Sequence, residues 1–197
     1  MNTTERMPKI VSFDVGMKNL SYCIINHDLS PNGYRIEEWD TVSIEPGKSV
    51  SETCENLVHV LDSLPFLQEA SIVIIENQPV TKNPKMKTIQ IVILTYFLCK
   101  KQLSGNSIQK VLLLNSSLKL KAYIGPPQIP TTKSKSPYLI RKNLVILYTK
   151  YELRDDATSL ELFLSHKKKD DLSDSFLQAL YVLRKTDHGL VPIGGSA

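Results

Sequence analysis

The sequence predicts an α/β fold: a mixed five-stranded sheet, three antiparallel strands then two parallel ones, flanked by helices. Two patterns carry that expectation. Three strand-forming runs up to Ser43 are separated by turn-length gaps, and from there helical and strand patterns alternate toward the C-terminus. A third pattern concerns chemistry. Ser12-Phe13-Asp14-Val15-Gly16 and Ile74-Ile75-Glu76-Asn77-Gln78 each end a strand-forming run on an acid, and Lys169-Asp170-Asp171-Leu172-Ser173-Asp174 opens a helix.

Lys9–Asp14 is apolar enough for a central strand, and Gly16 lets the backbone turn tightly beside the acid. Leu20–Asn26 is the second strand, Ser30-Pro31-Asn32-Gly33 a hairpin turn, and Tyr34–Ser43 the third strand. Ser51–Leu64 carries Cys54, Leu57, Val58, Leu61 and Leu64 at helical spacing, with Ser49 or Ser51 as N-cap. Ser71–Ile75 is a short β-branched strand leading into Glu76. Asn83-Pro84 starts the next helix, an N-cap followed by proline at the first position, and the helix runs to about Lys100. Lys110–Leu114 reads as a further buried strand. Tyr123–Pro137, rich in Pro, Thr and Lys, is a loop, and helices follow over Tyr138–Tyr151 and from about Leu172 to Arg184. One domain over residues 1–188, with a flexible tail over 189–197, accounts for the chain. This order of elements is that of the ribonuclease-H-like fold. In that topology the first strand is central and the strand after the first helix lies beside it, so Asp14 and Glu76 would sit on neighbouring strands.

Composition narrows the classes. At 197 residues, 42% of them hydrophobic, the chain can bury a normal core without disulfides. Cys23, Cys54 and Cys99 are odd in number and lack metal-knuckle spacing, which favours buried thiols in a reducing, intracellular compartment. The N-terminal MNTTERMPK has neither an apolar signal core nor an Arg-rich amphipathic run, so secretion and mitochondrial import are not expected. The apolar run near Ile89–Leu98 is too short to span a membrane and is interrupted by Thr95. His27, His59, His166 and His188 are scattered without paired ligand spacing. Ser12 and Ser21 lack a His–Asp pair, and no second Gly-rich phosphate loop supports a sugar-kinase-like ATPase. No small-molecule cofactor is implied.

Net charge is +4, and its placement says more than its size. Lys18 follows the first acid. Lys82, Lys85 and Lys87 follow the Glu76 strand. Lys133, Lys135, Arg141 and Lys142 follow the Pro-rich loop, and Lys167, Lys168 and Lys169 lead into the acidic helix. Each group alone reads as solvated surface. Their common position beside strand ends and helix starts suggests a rim for phosphates, which makes Lys18, Lys82, Lys85, Lys87, Lys135, Arg141, Lys167 and Lys169 candidate DNA-binding residues.

On the last helix Asp171 and Asp174 share one face, while Leu172, Phe176, Ala179, Leu180 and Leu183 mark the face that packs on the sheet. Asp170 points away from the acidic face and is expected to cap or support it. Alone, such a first turn merely complements the helix dipole. With Asp14 and Glu76 each ending a strand, a four-carboxylate cluster is the better reading. Acids gathered in this way hold divalent metal ions for phosphodiester hydrolysis.

The runs FDVGMKNL, IENQP…NPKMK and KKKDDLSDSF, in that order across residues 9–186, resemble the Holliday junction resolvases of poxviruses and other large cytoplasmic DNA viruses. The resemblance implies a virus-encoded endonuclease that acts in the infected host cell or virion. Such an enzyme makes paired symmetric cuts in a four-way DNA junction, leaving 5′-phosphate and 3′-hydroxyl ends. It implies Asp14, Glu76, Asp171 and Asp174 as catalytic carboxylates holding two Mg²⁺ or Mn²⁺ ions. It also implies a basic residue near the start of the helix after the fifth strand, matched by Lys142 or Arg141, with Lys168 as the other candidate. Symmetric cutting calls for a homodimer. The helix from Pro84 is apolar on two sides, Ile89, Ile93, Tyr96 and Phe97 on one and Ile91, Leu94 and Leu98 on the other. One side packs on the sheet; the resemblance favours a second copy over another helix as the cover for Ile91, Leu94 and Leu98. Trp39 and Tyr34 are expected to pack rather than stack on DNA. Two rivals stand: another nuclease of this fold, acting on RNA–DNA hybrids or RNA, and a non-catalytic nucleic-acid-binding module, whose grip four unpaired carboxylates would weaken.

Overall fold

A computed structural model describes residues 8–27, 33–80, 83–133 and 135–187. The strands are β1 (Lys9–Val15), β2 (Asn19–His27), β3 (Tyr34–Ser43), β4 (Ile72–Asn77) and β5 (Lys110–Asn115). The helices are α1 (Val50–Asp62), α2 (Pro84–Gln102), α3 (Pro137–Glu152), α4 (Ala157–Ser165) and α5 (Lys169–Asp187), with single 3₁₀ turns at Pro65–Glu69 and Leu118–Ala122. The sheet order is β3-β2-β1-β4-β5, antiparallel through β1 and parallel from β1 to β5. The mixed five-stranded sheet and the central β1 are as predicted.

Strand alternation sends β1 side chains to two layers. Val11, Phe13 and Val15 join α1 and α2, while Ile10 joins α3, α4 and α5. Ser12 and Asp14 follow Ile10 in the two-residue period, as Glu76 follows Ile72 and Ile74, so both acids face the α5 layer. At the end of β1, Gly16 N donates to Asn19 O at 3.1 Å, and a Cβ on Gly16 would stand 2.5 Å from that oxygen. Only glycine permits the turn.

Local signals set the helix starts. Ser49 caps α1 by accepting from Glu52 N at 3.1 Å, and Asn83 caps α2 by accepting from Met86 N at 3.3 Å with Pro84 following. The face of α5 read as apolar is buried throughout: Leu172, Phe176, Ala179, Leu180 and Leu183 are all at most 2% exposed. Trp39 is core as well, stacked on Phe163 and donating from Nε1 to Leu172 O at 3.0 Å, which leaves no ring face for DNA. Tyr34 is buried against Phe176.

Several expectations need correcting. β5 is an edge strand and not a buried one: Leu113 is exposed, and Leu114 is its one buried residue. α4, capped by Asp156 accepting from Ser159 N, and both 3₁₀ turns were not anticipated. α5 begins at Lys169 rather than Leu172. Of the cysteines only Cys23 is buried; Cys54 is half-buried and Cys99 exposed. The Ser30–Asn32 turn, Lys82, His188 and the tail 189–197 lie outside the described residues. No helix among the described residues is long and apolar enough to cross a membrane.

Phe176 touches both Trp39 and Tyr34 beneath α5. Phe176→Ala should lower unfolding free energy by about 3–5 kcal/mol, read from the urea midpoint. A loss below about 1 kcal/mol would mean that α5 is not packed on the sheet as described.

Candidate active site

At the C-terminal ends of β1 and β4 the chain opens a cleft of about 480 Å³. Asp14, Glu76, Asp171 and Asp174 all line it, as do Lys18, Arg141, Lys142 and Lys168. The parallel register pairs Phe13 with Ile75, which sets Asp14 beside Glu76 one step later, and their carboxyls meet. α5 lies across this end of the sheet and brings Asp174 in from its first turns.

One residue was not anticipated. Lys119, on the 3₁₀ turn after β5, is buried with its Nζ 2.6 Å from Asp174 Oδ2 and 3.2 Å from Glu76 Oε1. The run Leu118-Lys119-Leu120-Lys121 gives no local signal for which lysine turns inward, because its two-residue alternation does not match the three-residue period of the turn. Among the described residues no three acidic, cysteine or histidine side chains already ring a metal-sized point. The Lys119 ammonium occupies the middle of the acids instead, and Asp171 stands apart from the other three, 3.7 Å from Lys168 Nζ.

The electrostatics follow from burial. Asp14 is held well above the usual carboxylate range, first by burial and then by its contact with Glu76. Glu76 goes the other way: burial opposes its charge, but the Asp14 hydrogen bond and Lys119 outweigh it, so Glu76 is the ionised partner. Burial pushes Asp174 up to about 6 against the pull of Lys119. Burial also works against the Lys119 charge, and the Asp174, Glu76 and Asp14 carboxylates more than offset it, so Lys119 stays protonated. Asp171 is raised by burial and by Asp170.

Supporting contacts hold the acids in place. Gln78 Nε2 donates to Glu76 Oε2 at 3.1 Å, and Gln78 N donates to the buried Gln90 of α2 at 2.7 Å. Asp170, as expected, turns away from the acids and pairs with Lys142. Asn19 is placed so that its amide oxygen can accept from Lys168 Nζ at 2.5 Å. Asp174 Oδ1 is buried without a hydrogen-bond partner among the described residues. An oxygen-only donor set with an unspent buried carboxylate oxygen fits a hard divalent cation.

The basic candidates divide. Lys18, Arg141, Lys142 and Lys168 line the cleft. Lys85 lies in a neighbouring groove with Lys18 and Lys48. Lys87 is bound to Asn77 Oδ1 at 3.1 Å and Gln90 Oε1 at 3.2 Å, and Lys169 donates to His166 O at 2.7 Å; neither lines the cleft. Lys135 and Lys167 are exposed away from the cleft lining.

Strand order, the acid-bearing central strand and the helix across its end define a ribonuclease-H-like fold. Solved structures similar to the chain include three Holliday junction resolvases. The fowlpox virus resolvase bound to Holliday junction DNA has a TM-score of 0.60 at 22% identity, covering 90% of this chain and 98% of that one. The yeast mitochondrial Holliday junction resolvase has a TM-score of 0.64 at 16% identity, covering 95% and 86%. RuvC of T. thermophilus with a Holliday junction substrate has a TM-score of 0.63 at 14% identity, covering 92% and 97%. At these identities the likeness is one of fold. No family model matches the chain. By sequence, an uncharacterized protein of Acanthamoeba polyphaga mimivirus is 36% identical over 146 residues, a match covering 67% of this chain and 35% of that protein. The chain therefore spans about a third of the length of this relative.

Because Asp174 is raised to about 6, the folded metal-free protein holds its proton more tightly than the unfolded chain does. That contribution to stability is complete below about pH 4 and is lost as pH rises through about 6. In EDTA the urea midpoint of the wild type should fall between pH 4 and 7 more steeply than that of Asp174→Asn. Parallel pH curves for the two proteins would contradict the burial of this carboxyl.

Proposed function

We propose that the protein is a metal-dependent endonuclease that resolves four-way DNA junctions by paired, symmetric hydrolysis. The observation that carries this is the convergence of Asp14, Glu76, Asp174 and Lys119 at the end of the central strands, in a cleft edged by Asp171, Lys18, Arg141, Lys142 and Lys168. The fold shared with three junction resolvases supports the choice of substrate.

Asp14, Glu76, Asp171 and Asp174 are the residues that would hold two Mg²⁺ or Mn²⁺ ions. When bound, these supply a hydroxide nucleophile at neutral pH and positive charge at the departing 3′ oxygen, so that each cut leaves a 5′ phosphate and a 3′ hydroxyl. The chain's own groups do the rest. Asp14 and Glu76 are held together by the β1–β4 register, and Gln78 fixes the Glu76 rotamer. Lys119 neutralises acids that would otherwise repel one another, and its ammonium is within reach of any phosphate oxygen brought to Asp174. It takes the role of the basic residue after the fifth strand better than Lys142, whose ammonium is already paired with Asp170. Arg141, Lys168 and Lys18 edge the cleft and neutralise flanking phosphates. The neighbouring groove, with Lys48 and Lys85 beside Lys18, continues that basic path.

Two symmetric cuts need two such clefts, and α2 supplies the surface for pairing. Its inner side is core: Ile89, Ile93 and Phe97 are buried. On the outer side Ile91 and Leu98 are each 43% exposed and Leu103 is 61% exposed, and Ile91 and Leu103 line a shallow groove shared with Val58 of α1. Leu94, on the same side, is half-buried and packs partly against the core of its own chain, so Ile91 and Leu98 are the more open of the three.

Two measurements test the reading. On a synthetic four-way junction with Mg²⁺, the wild type should give symmetric, ligatable nicks and spare linear duplex and RNA–DNA hybrid. Asp171→Asn and Lys119→Ala should each slow cutting at least ~100-fold, since even the outer partners of a metal are worth 10–100-fold. Cutting of the hybrid instead would keep the cleft and change the substrate; tight binding without cutting would leave a binding module. For the dimer, Ile91→Asp combined with Leu98→Asp should convert a dimer to a folded monomer by light scattering. A monomeric wild type would remove the α2 interface.

A further inference from the structure

Ionic groups account for only part of the cleft. Met17, Met86, Leu120 and Tyr138 share its lining, and a phosphodiester needs none of them. Met17 is 42% and Tyr138 58% exposed, apolar surface that water disfavours and a ligand would cover. Both are held in place. Met17 Sδ accepts from Asn83 Nδ2, the cap of α2, at 3.6 Å. Tyr138 stands in the first turn of α3 directly after Pro137, and Lys142 one turn on sets its Nζ 5.2 Å from the ring centroid. Lys142 is in turn anchored to Asp170 of α5, next to Asp171. The ring is thus tied to the same helix that carries the acids. A fixed, open aromatic ring beside a phosphate site is a stacking platform for a nucleobase, and every base has a face to offer it.

We propose that Tyr138 stacks on a nucleobase of the cut strand, one drawn out of its pair beside the reactive phosphate, with Met17 extending the apolar surface. The inference rests on the nuclease reading of this cleft and names a structural requirement of its substrate. A base at a branch point has already lost part of its stacking, so drawing it out costs less than in continuous duplex. Tyr138 therefore favours branched over linear DNA without selecting a base sequence.

The test places 2-aminopurine at each of the two positions flanking the cleavage phosphate of a four-way junction. Emission and binding are measured with full-length wild type, Tyr138→Phe and Tyr138→Ala in Ca²⁺, whose oxygen ligands match those of Mg²⁺ but whose looser geometry suits binding over turnover. At one flanking position the wild type and Tyr138→Phe should quench the probe alike, while Tyr138→Ala leaves it bright and binds the junction about tenfold more weakly. Linear duplex affinity should be the same in all three. Equal emission from the wild type and Tyr138→Ala on a tightly bound junction would overturn the platform and leave the resolvase reading intact. Tyr138→Phe behaving like Tyr138→Ala would overturn it too, by tracing the effect to the hydroxyl. Absence of junction-selective binding by the wild type would overturn both.

Discussion

A single buried ammonium holds the acidic end of this protein together. Lys119 lies between Glu76 and Asp174 at salt-bridge distance, with Asp14 against Glu76 behind it. Removing ions from water costs several kcal/mol each after relaxation, and like charges raise that further. One positive charge among three acids cannot balance them all. The chain answers partly by protonation, with Asp14 and Asp174 both driven upward, and partly by leaving Asp174 Oδ1 unsatisfied. A site in that state gains most from an added cation, and this is the physical link between the fold's internal strain and its proposed chemistry.

Lys119 can do this only because its short turn is clamped. Arg184 of α5 makes a two-pronged ion pair with Glu152 of α3, at 3.0 and 2.8 Å, and also donates to the carbonyl of Ala122, the last residue of that turn. Tyr34 OH reaches the Glu152 carbonyl at 3.3 Å from the edge strand. Near the other end of α5, Trp39 holds the carbonyl of Leu172, which lies between Asp171 and Asp174 in the chain. Both ends of the helix are therefore fixed by groups far away in sequence, and the aspartates inherit that precision. Reactive geometry is lost with displacements of about 1 Å, so packing remote from the cleft bears directly on what the cleft can do.

The molecule is also two-sided. Its α5 layer seals the core and builds the cleft, whereas α2 spends one face on the core and leaves Ile91, Leu98 and Leu103 open. Met86 at the start of α2 lines the cleft, but Ile91, Leu98 and Leu103 do not, so pairing through that open side need not obstruct it.

Much of this was readable in the chain because it is encoded over short distances. A two-residue period set the faces of β1 and β4, the Asn83-Pro84 pair set the start of α2, and the spacing of Asp171 and Asp174 against Leu172 and Phe176 set the two faces of α5. Element order then implied that Asp14 and Glu76 would be neighbours. What the chain alone could not decide were contacts whose partners lie 43 and 133 residues apart: Lys119 with Glu76, and Trp39 with Leu172 O. No local pattern distinguishes the inward Lys119 from the surface lysines around it, or marks Lys87 and Lys169 as hydrogen-bonded within their own fold. Which lysine is buried depends on which acids it meets, and only the packed sheet and helix bring those acids to it.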